Sequence, residues 1–185
     1  MEVAEKAKIK IVFTIGFALM MAVGANCFFY LPFTPVPFTL QVLTVLLGAI
    51  VLGFPYSFYS QLIYLSLGFM GMGVFAGFKN AYIALAGPTA GYIMGFLAAS
   101  FVSSYIYTKT GGRKGLILSL SAGLLSIYIL GYGHMLIYFW GPDALSLKAV
   151  ATTFKLAVAP FIVADIIKVL LVANIVNRWS TGGNS

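Results

Sequence analysis

Residues 11 to 78 contain no Asp, Glu, Lys or Arg. A helix at a water-facing surface needs a charged or strongly polar face, so a stretch of this length excludes an ordinary soluble fold. Residues 81–108 and 115–142 are also free of charge. In hydrocarbon every backbone group must find its partner inside the protein, which leaves helices or a closed barrel. The alternating polar and apolar pattern of barrel strands is absent, so these runs read as helices. Composition agrees: 61% of residues are hydrophobic and 8% charged, where a soluble domain carries about 25% charged. The chain has 185 residues, enough for about six spans of about 20 residues each.

Proline and glycine divide the runs. Spans are expected at residues 9–29, 39–52, 56–70, 81–107, 114–140 and 150–177, the second being short. The expected fold is an all-α membrane protein, six transmembrane helices in a compact bundle, forming a single domain over residues 1–185. Lys6, Lys8 and Lys10 before an apolar run look like a signal peptide. No convincing cleavage site follows near Asn26-Cys27 and further spans do, so the first helix is read as retained. Cys27 is expected to pack as a small apolar residue.

Basic residues set the orientation. With six spans, both termini and the even-numbered loops share a side, which holds Lys6, Lys8, Lys10, Lys109, Arg113, Lys114 and Arg178. The opposite side holds only Lys79 and Lys148. This bias places both termini in the cytoplasm, in a multi-pass protein of a cell membrane. It also accounts for the net charge of +7 without nucleic acid, because the basic residues flank helices and face anionic lipid headgroups.

Catalytic constellations are scarce. One Cys and one His do not make a metal cluster, and no other cofactor signature is present. Thr110-Gly111-Gly112-Arg113-Lys114 has the glycines and charge of a phosphate loop but not its spacing, so ATP hydrolysis by that route is excluded. His134, near Gly131 and Gly133, either faces a cavity or is satisfied by a neighbouring helix.

The informative residues are polar ones in apolar surroundings. The last span carries Asp165 and Lys168, with Lys155 and Pro160 before them. Charges inside a span cost several kcal/mol, about, and face a partner or a polar cavity. Three residues apart, Asp165 and Lys168 share a helix face. They form either a self-satisfied ion pair or a ligand-binding pair of opposite hydrogen-bond polarity. Two loops on the side away from the basic termini look built to cover such a site, or else only cap helix ends at the interface. One is the stiff aromatic run Leu31-Pro32-Phe33-Thr34-Pro35-Val36-Pro37-Phe38-Thr39, leading into Gln41. The other is Gly73-Val74-Phe75-Ala76-Gly77-Phe78-Lys79-Asn80. Small residues at four-residue spacing suit close helix packing. Gly87, Gly91, Gly95, Ala99 and Ser103 form an internal stripe, whereas Thr14, Ala18, Ala22 and Asn26 are open to an external partner.

The run PFTPVPFTLQVLTVLL over residues 32–47 resembles the S-component family of energy-coupling-factor (ECF) biotin transporters, the BioY proteins. So do Phe75-Ala76-Gly77, Gly87-Pro88-Thr89-Ala90-Gly91-Tyr92 with Gly95-Phe96, and Pro160-Phe161 followed by Asp165 and Lys168. Ala164 stands where the family pattern has Gly before the acid, a departure that bears on packing more than chemistry. The resemblance implies a six-helix subunit that captures biotin from outside. It implies partners too: a coupling transmembrane protein and two ATPase subunits.

It further implies that Asn80 and Asp165 hold the ureido ring, with Tyr92 and Gln41 as further contacts. Lys168 either meets the valerate carboxylate or positions Asp165. Phe75, Phe78 and Phe33 enclose the apolar ring, since small-molecule sites combine an apolar wall with few polar groups. Ala18 and Ala22 resemble the family's docking site for the coupling protein. Two other classes compete. A self-sufficient secondary transporter of biotin or a similar solute would need a titratable relay, and an intramembrane enzyme has only His134 and Asp165 to work with.

Overall fold

The computed structural model describes residues 2–182, with side chains described for Glu5 and residues 7–179. Met1 and residues 183–185, part of the single-domain expectation, and the Lys6 side chain, part of the charge bias, lie outside the described residues. The chain folds into α1 (Glu2–Asn26), α2 (Gln41–Leu52), α3 (Tyr56–Phe69), α4 (Ala81–Leu85), α5 (Ala90–Thr110) and α6 (Gly112–Trp140). A 3-10 turn (Gly141–Leu145) follows, then α7 (Leu147–Ala157) and α8 (Ile162–Gly182). Among the described residues there is no strand, only two isolated bridges, Phe29 to Phe38 and Phe75 to Lys79.

Two expected spans are broken. The segment at 81–107 divides into α4 and α5 around Pro88, which has no N–H for the Ala84 carbonyl. The segment at 150–177 divides into α7 and α8, bent by 49° around Pro160. Among the described residues, three helices are long and apolar enough to cross a membrane, or four if the bent pair counts as one span. α2 has 12 residues and α3 has 14. At 1.5 Å per residue these reach about 18 and 21 Å, short of the hydrocarbon thickness of about 30 Å.

Packing follows the small residues. A Cβ on Gly95 would sit 2.8 Å from the Ile127 Cα, and one on Gly91 would overlap the Leu130 carbonyl oxygen. These glycines let α5 and α6 approach backbone to backbone. Ser103 continues the contact by donating to the Ser119 carbonyl at 2.9 Å. The internal reading of the 91–103 stripe therefore holds, whereas Gly87 falls in the break before α5.

The α1 stripe also packs inward. Ala18 is 0% exposed, and Ala22 lies half-buried against the same core. Ala18, expected with Ala22 to form a docking face, is therefore covered by this chain's own helices, while Ala22 keeps part of its surface and the fully outward face of α1 carries Val12, Leu19 and Val23. The outer surface is apolar at many further points, including Met70, Ile137 and Val163, as suits contact with lipid. Polar side chains sit inside; Ser57, for instance, donates to the Ser100 carbonyl at 3.2 Å. Cys27, just past the end of α1 at Asn26, is exposed rather than packed.

Candidate functional site

Pro160 cannot donate to the Leu156 carbonyl, and the bend removes the partner of the Ala157 carbonyl as well. In an apolar bundle such orphans must be satisfied from elsewhere. Thr34 Oγ1, from the Pro-rich loop, donates to Leu156 O at 2.6 Å. Tyr92 Oη, from the first turn of α5, donates to Ala157 O at 2.6 Å. The break thus fastens both the loop and α5 around itself. The Phe38 and Phe161 rings pack against each other with centroids 4.5 Å apart and planes tilted by 33°, closing the same junction. Thr34→Val keeps the shape but removes the donor. We expect it to cost about 1–3 kcal/mol, the penalty for an unsatisfied buried acceptor, read as earlier thermal unfolding in detergent than wild type.

Beside this junction lies a cavity of about 80 Å³, against the roughly 10–15 Å³ that one water needs. Its walls come from the Pro-rich loop, the 73–80 loop, α2, α5, α6, Phe161 and α8. The walls are mainly apolar and aromatic, with Phe75, Phe96 and Phe161 among them. Asp165, only 3% exposed, enters from the first turn of α8. The positive end of that helix favours a carboxylate there. Lys168 Nζ donates to Asp165 Oδ1 at 2.8 Å, and Tyr128 Oη to Oδ2 at 2.6 Å. Both bonds have the short length of charge-assisted ones. Tyr92 exposes its ring to the cavity because Gly131 opposite has no side chain; a Cβ there would stand 2.5 Å from that ring.

The expected site residues separate into two groups. Gln41, Phe75, Tyr92, Asp165 and Lys168 all line the cavity. Gln41 is also braced: its Nε2 donates to Tyr64 Oη at 3.0 Å, and that hydroxyl donates to Val74 O at 3.2 Å. Phe33, Phe78 and Asn80 are not among the lining residues. Phe33 is exposed, and Phe78 is 73% exposed on a turn where it has φ +56°. Asn80 caps α4, its Oδ1 accepting from the Ile83 N–H at 3.1 Å.

His134 also stays outside the cavity lining, its Nδ1 3.3 Å from the Pro88 carbonyl oxygen. That is the neighbouring-segment role. Sequence reasoning missed Tyr128, Tyr30 and Lys79, which line the cavity. It also missed the role of Asn26, which accepts from the Phe78 N–H at 2.9 Å and donates to Gly73 O at 3.3 Å, clamping the second loop. Among the described residues no group of three or more His, Cys, Asp or Glu converges as a metal site would require.

The fold is that of an S-component. It is similar over 98% of this chain and 95% of the other to a crystal structure of the S-component for biotin from an ECF-type ABC transporter, with a TM-score of 0.79 at 22% identity. In sequence, 162 residues are 38% identical to the biotin transporter BioY of Thermotoga maritima. Over the same length, 40% are identical to a probable biotin transporter BioY of Pyrococcus horikoshii. Each match covers 88% of this chain and 90% of the relative. The BioY family model matches residues 2–183, and the chain belongs to the BioY family.

Proposed function

We propose that this protein is the biotin-binding membrane subunit of an ATP-driven vitamin importer and has no chemistry of its own. The observation that carries the reading is the buried Asp165 carboxylate, held by Tyr128 and Lys168 inside an aromatic cavity. A carboxylate offers about four acceptor positions, and these two bonds use two of them. What remains suits the two N–H groups of a ureido ring. Asn80 lies outside the cavity lining with its oxygen engaged in the cap, so it serves only by its amide NH2, offered to the ureido carbonyl if the 73–80 loop closes over the ring. Gln41, Tyr92 and Phe75 complete the wall, while Phe33 and Phe78 serve only if their loops close over the bound ring.

The cavity lies by the first turns of α5 and α8, whereas Lys109 lies in the last turn of α5, Arg113 and Lys114 in the first turn of α6 that follows it, and Arg178 near the far end of α8. With the positive-inside rule, this supports six membrane-embedded segments, both termini cytoplasmic and the site open to the outside of the cell membrane. The short α2 and α3 are accommodated because they pack against protein rather than spanning alone. Energy comes from a coupling transmembrane protein and two ATPases, since this chain has no phosphate loop. A self-sufficient secondary transporter is the weaker reading: Asp165 is the single acid among the lining residues, too little for a proton relay.

Vesicles reconstituted with this chain, the coupling protein, both ATPases and internal ATP are expected to release biotin inside from an external supply. Uptake driven by a proton gradient in vesicles holding this chain alone would contradict the proposal.

A further inference from the structure

We infer that Lys79, at the rim of the cavity, receives the carboxylate of the bound ligand, while Lys168 stays with Asp165. The inference rests on the biotin reading above and adds the direction in which the ligand lies. Among the described residues two cations line the cavity, Lys79 and Lys168. Lys168 is committed: its ammonium is 2.8 Å from the Asp165 carboxylate, and both side chains are largely buried. Moving it to a ligand would leave Asp165 without its counter-charge, a costly exchange in a buried site. Lys79 has no carboxylate within salt-bridge distance among the described residues and is exposed.

The backbone aims Lys79 at the cavity. Phe75 and Lys79 form an antiparallel bridge, Phe75 N donating to Lys79 O at 3.0 Å and Lys79 N to Phe75 O at 3.2 Å. Residues directly opposite in such a pair project to the same face. The Phe75 ring is buried in the cavity wall, so the Lys79 stem leaves on that side too. The turn between them depends on Gly77 at φ +77°, where an added Cβ would lie 3.8 Å from Lys79 Cε and 3.7 Å from Tyr30 Oη. The stem therefore runs past Gly77 beside Tyr30, which also lines the cavity.

Biotin is elongated, with its ureido ring at one end and its carboxylate at the end of a flexible chain. A ring directed to buried Asp165 leaves the charged tail toward the open side, where it loses least hydration. Lys79 stands at that side.

The test is calorimetric titration of wild type, Lys79→Gln, Lys79→Arg and Lys168→Gln with biotin and with its neutral carboxamide. Wild type should prefer the acid to the amide by about fivefold, the scale of an ion pair at a partly exposed site. Lys79→Gln should lose that preference with amide binding unchanged, Lys79→Arg should keep it, and Lys168→Gln should weaken both ligands alike. The assignment is overturned if Lys79→Gln leaves the preference intact, or if Lys168→Gln is the variant that removes it. Wild-type protein that is folded and binds neither compound would instead contradict the biotin reading, and Lys79 with it.

Discussion

Asp165→Asn is expected to reduce biotin affinity by more than about a hundredfold. The substitution keeps the shape but removes the negative charge. It replaces one acceptor oxygen by an NH2 group that would face the ligand's own N–H donors. It also strands the Lys168 ammonium, and breaking a buried pair by neutralising one partner costs about 3–5 kcal/mol. Part of that penalty falls on folding, so the single variant alone does not separate a structural pair from a ligand-binding one. Asp165→Asn combined with Lys168→Met removes both charges and is expected to recover thermal stability toward wild type. Binding should stay lost, because the acceptors for the ureido N–H groups are still missing. A double variant that binds biotin as wild type does would show that the pair only satisfies itself. Calorimetry alongside thermal unfolding in detergent reads both quantities.

Gly91→Leu should be the most damaging substitution away from the charges. A Cβ at this position would overlap the Leu130 carbonyl oxygen and the Cβ of His134 on α6. The first obstacle is backbone, so no rotamer change relieves it, and α5 must move off α6. Overpacking costs about 1–3 kcal/mol and more where the backbone has to shift. The displacement also carries off the neighbouring Tyr92, whose hydroxyl holds the Ala157 carbonyl. The expected outcome is loss of most monodisperse protein on size-exclusion chromatography, with biotin binding absent from the remainder. Gly16→Leu is the matched control, because a Cβ at Gly16 meets nothing within 4 Å. It should behave as wild type. Equal tolerance at the two positions would contradict the packing described for α5 and α6.

The apolar helices were legible because charge-free runs admit few other solutions, and Asp165 with Lys168 stood out as charges within one of them. The breaks were not. Whether a proline in an apolar helix bends it gently or divides it depends on who satisfies the freed carbonyls. At Pro160 those donors are Thr34 and Tyr92, more than a hundred and more than sixty positions away along the chain. Tyr128 escaped notice for a similar reason: it is an uncharged residue on α6 that meets Asp165 only through the packing of α6 on α8.

The 73–80 loop shows the limit of reading by residue type. Phe75 and Phe78 are alike in sequence, yet the turn buries one and exposes the other. The inward turn of Ala18 was likewise hidden, since small-residue spacing says that a close contact exists but not with which neighbour.

The central claim is tested most directly by native mass spectrometry of the protein released from detergent after incubation with limiting biotin. The account predicts one biotin retained per chain in wild type, and none in the Asp165→Asn, Lys168→Met variant. Folded wild-type protein that retains no biotin, or a double variant that retains as much as wild type, would contradict it.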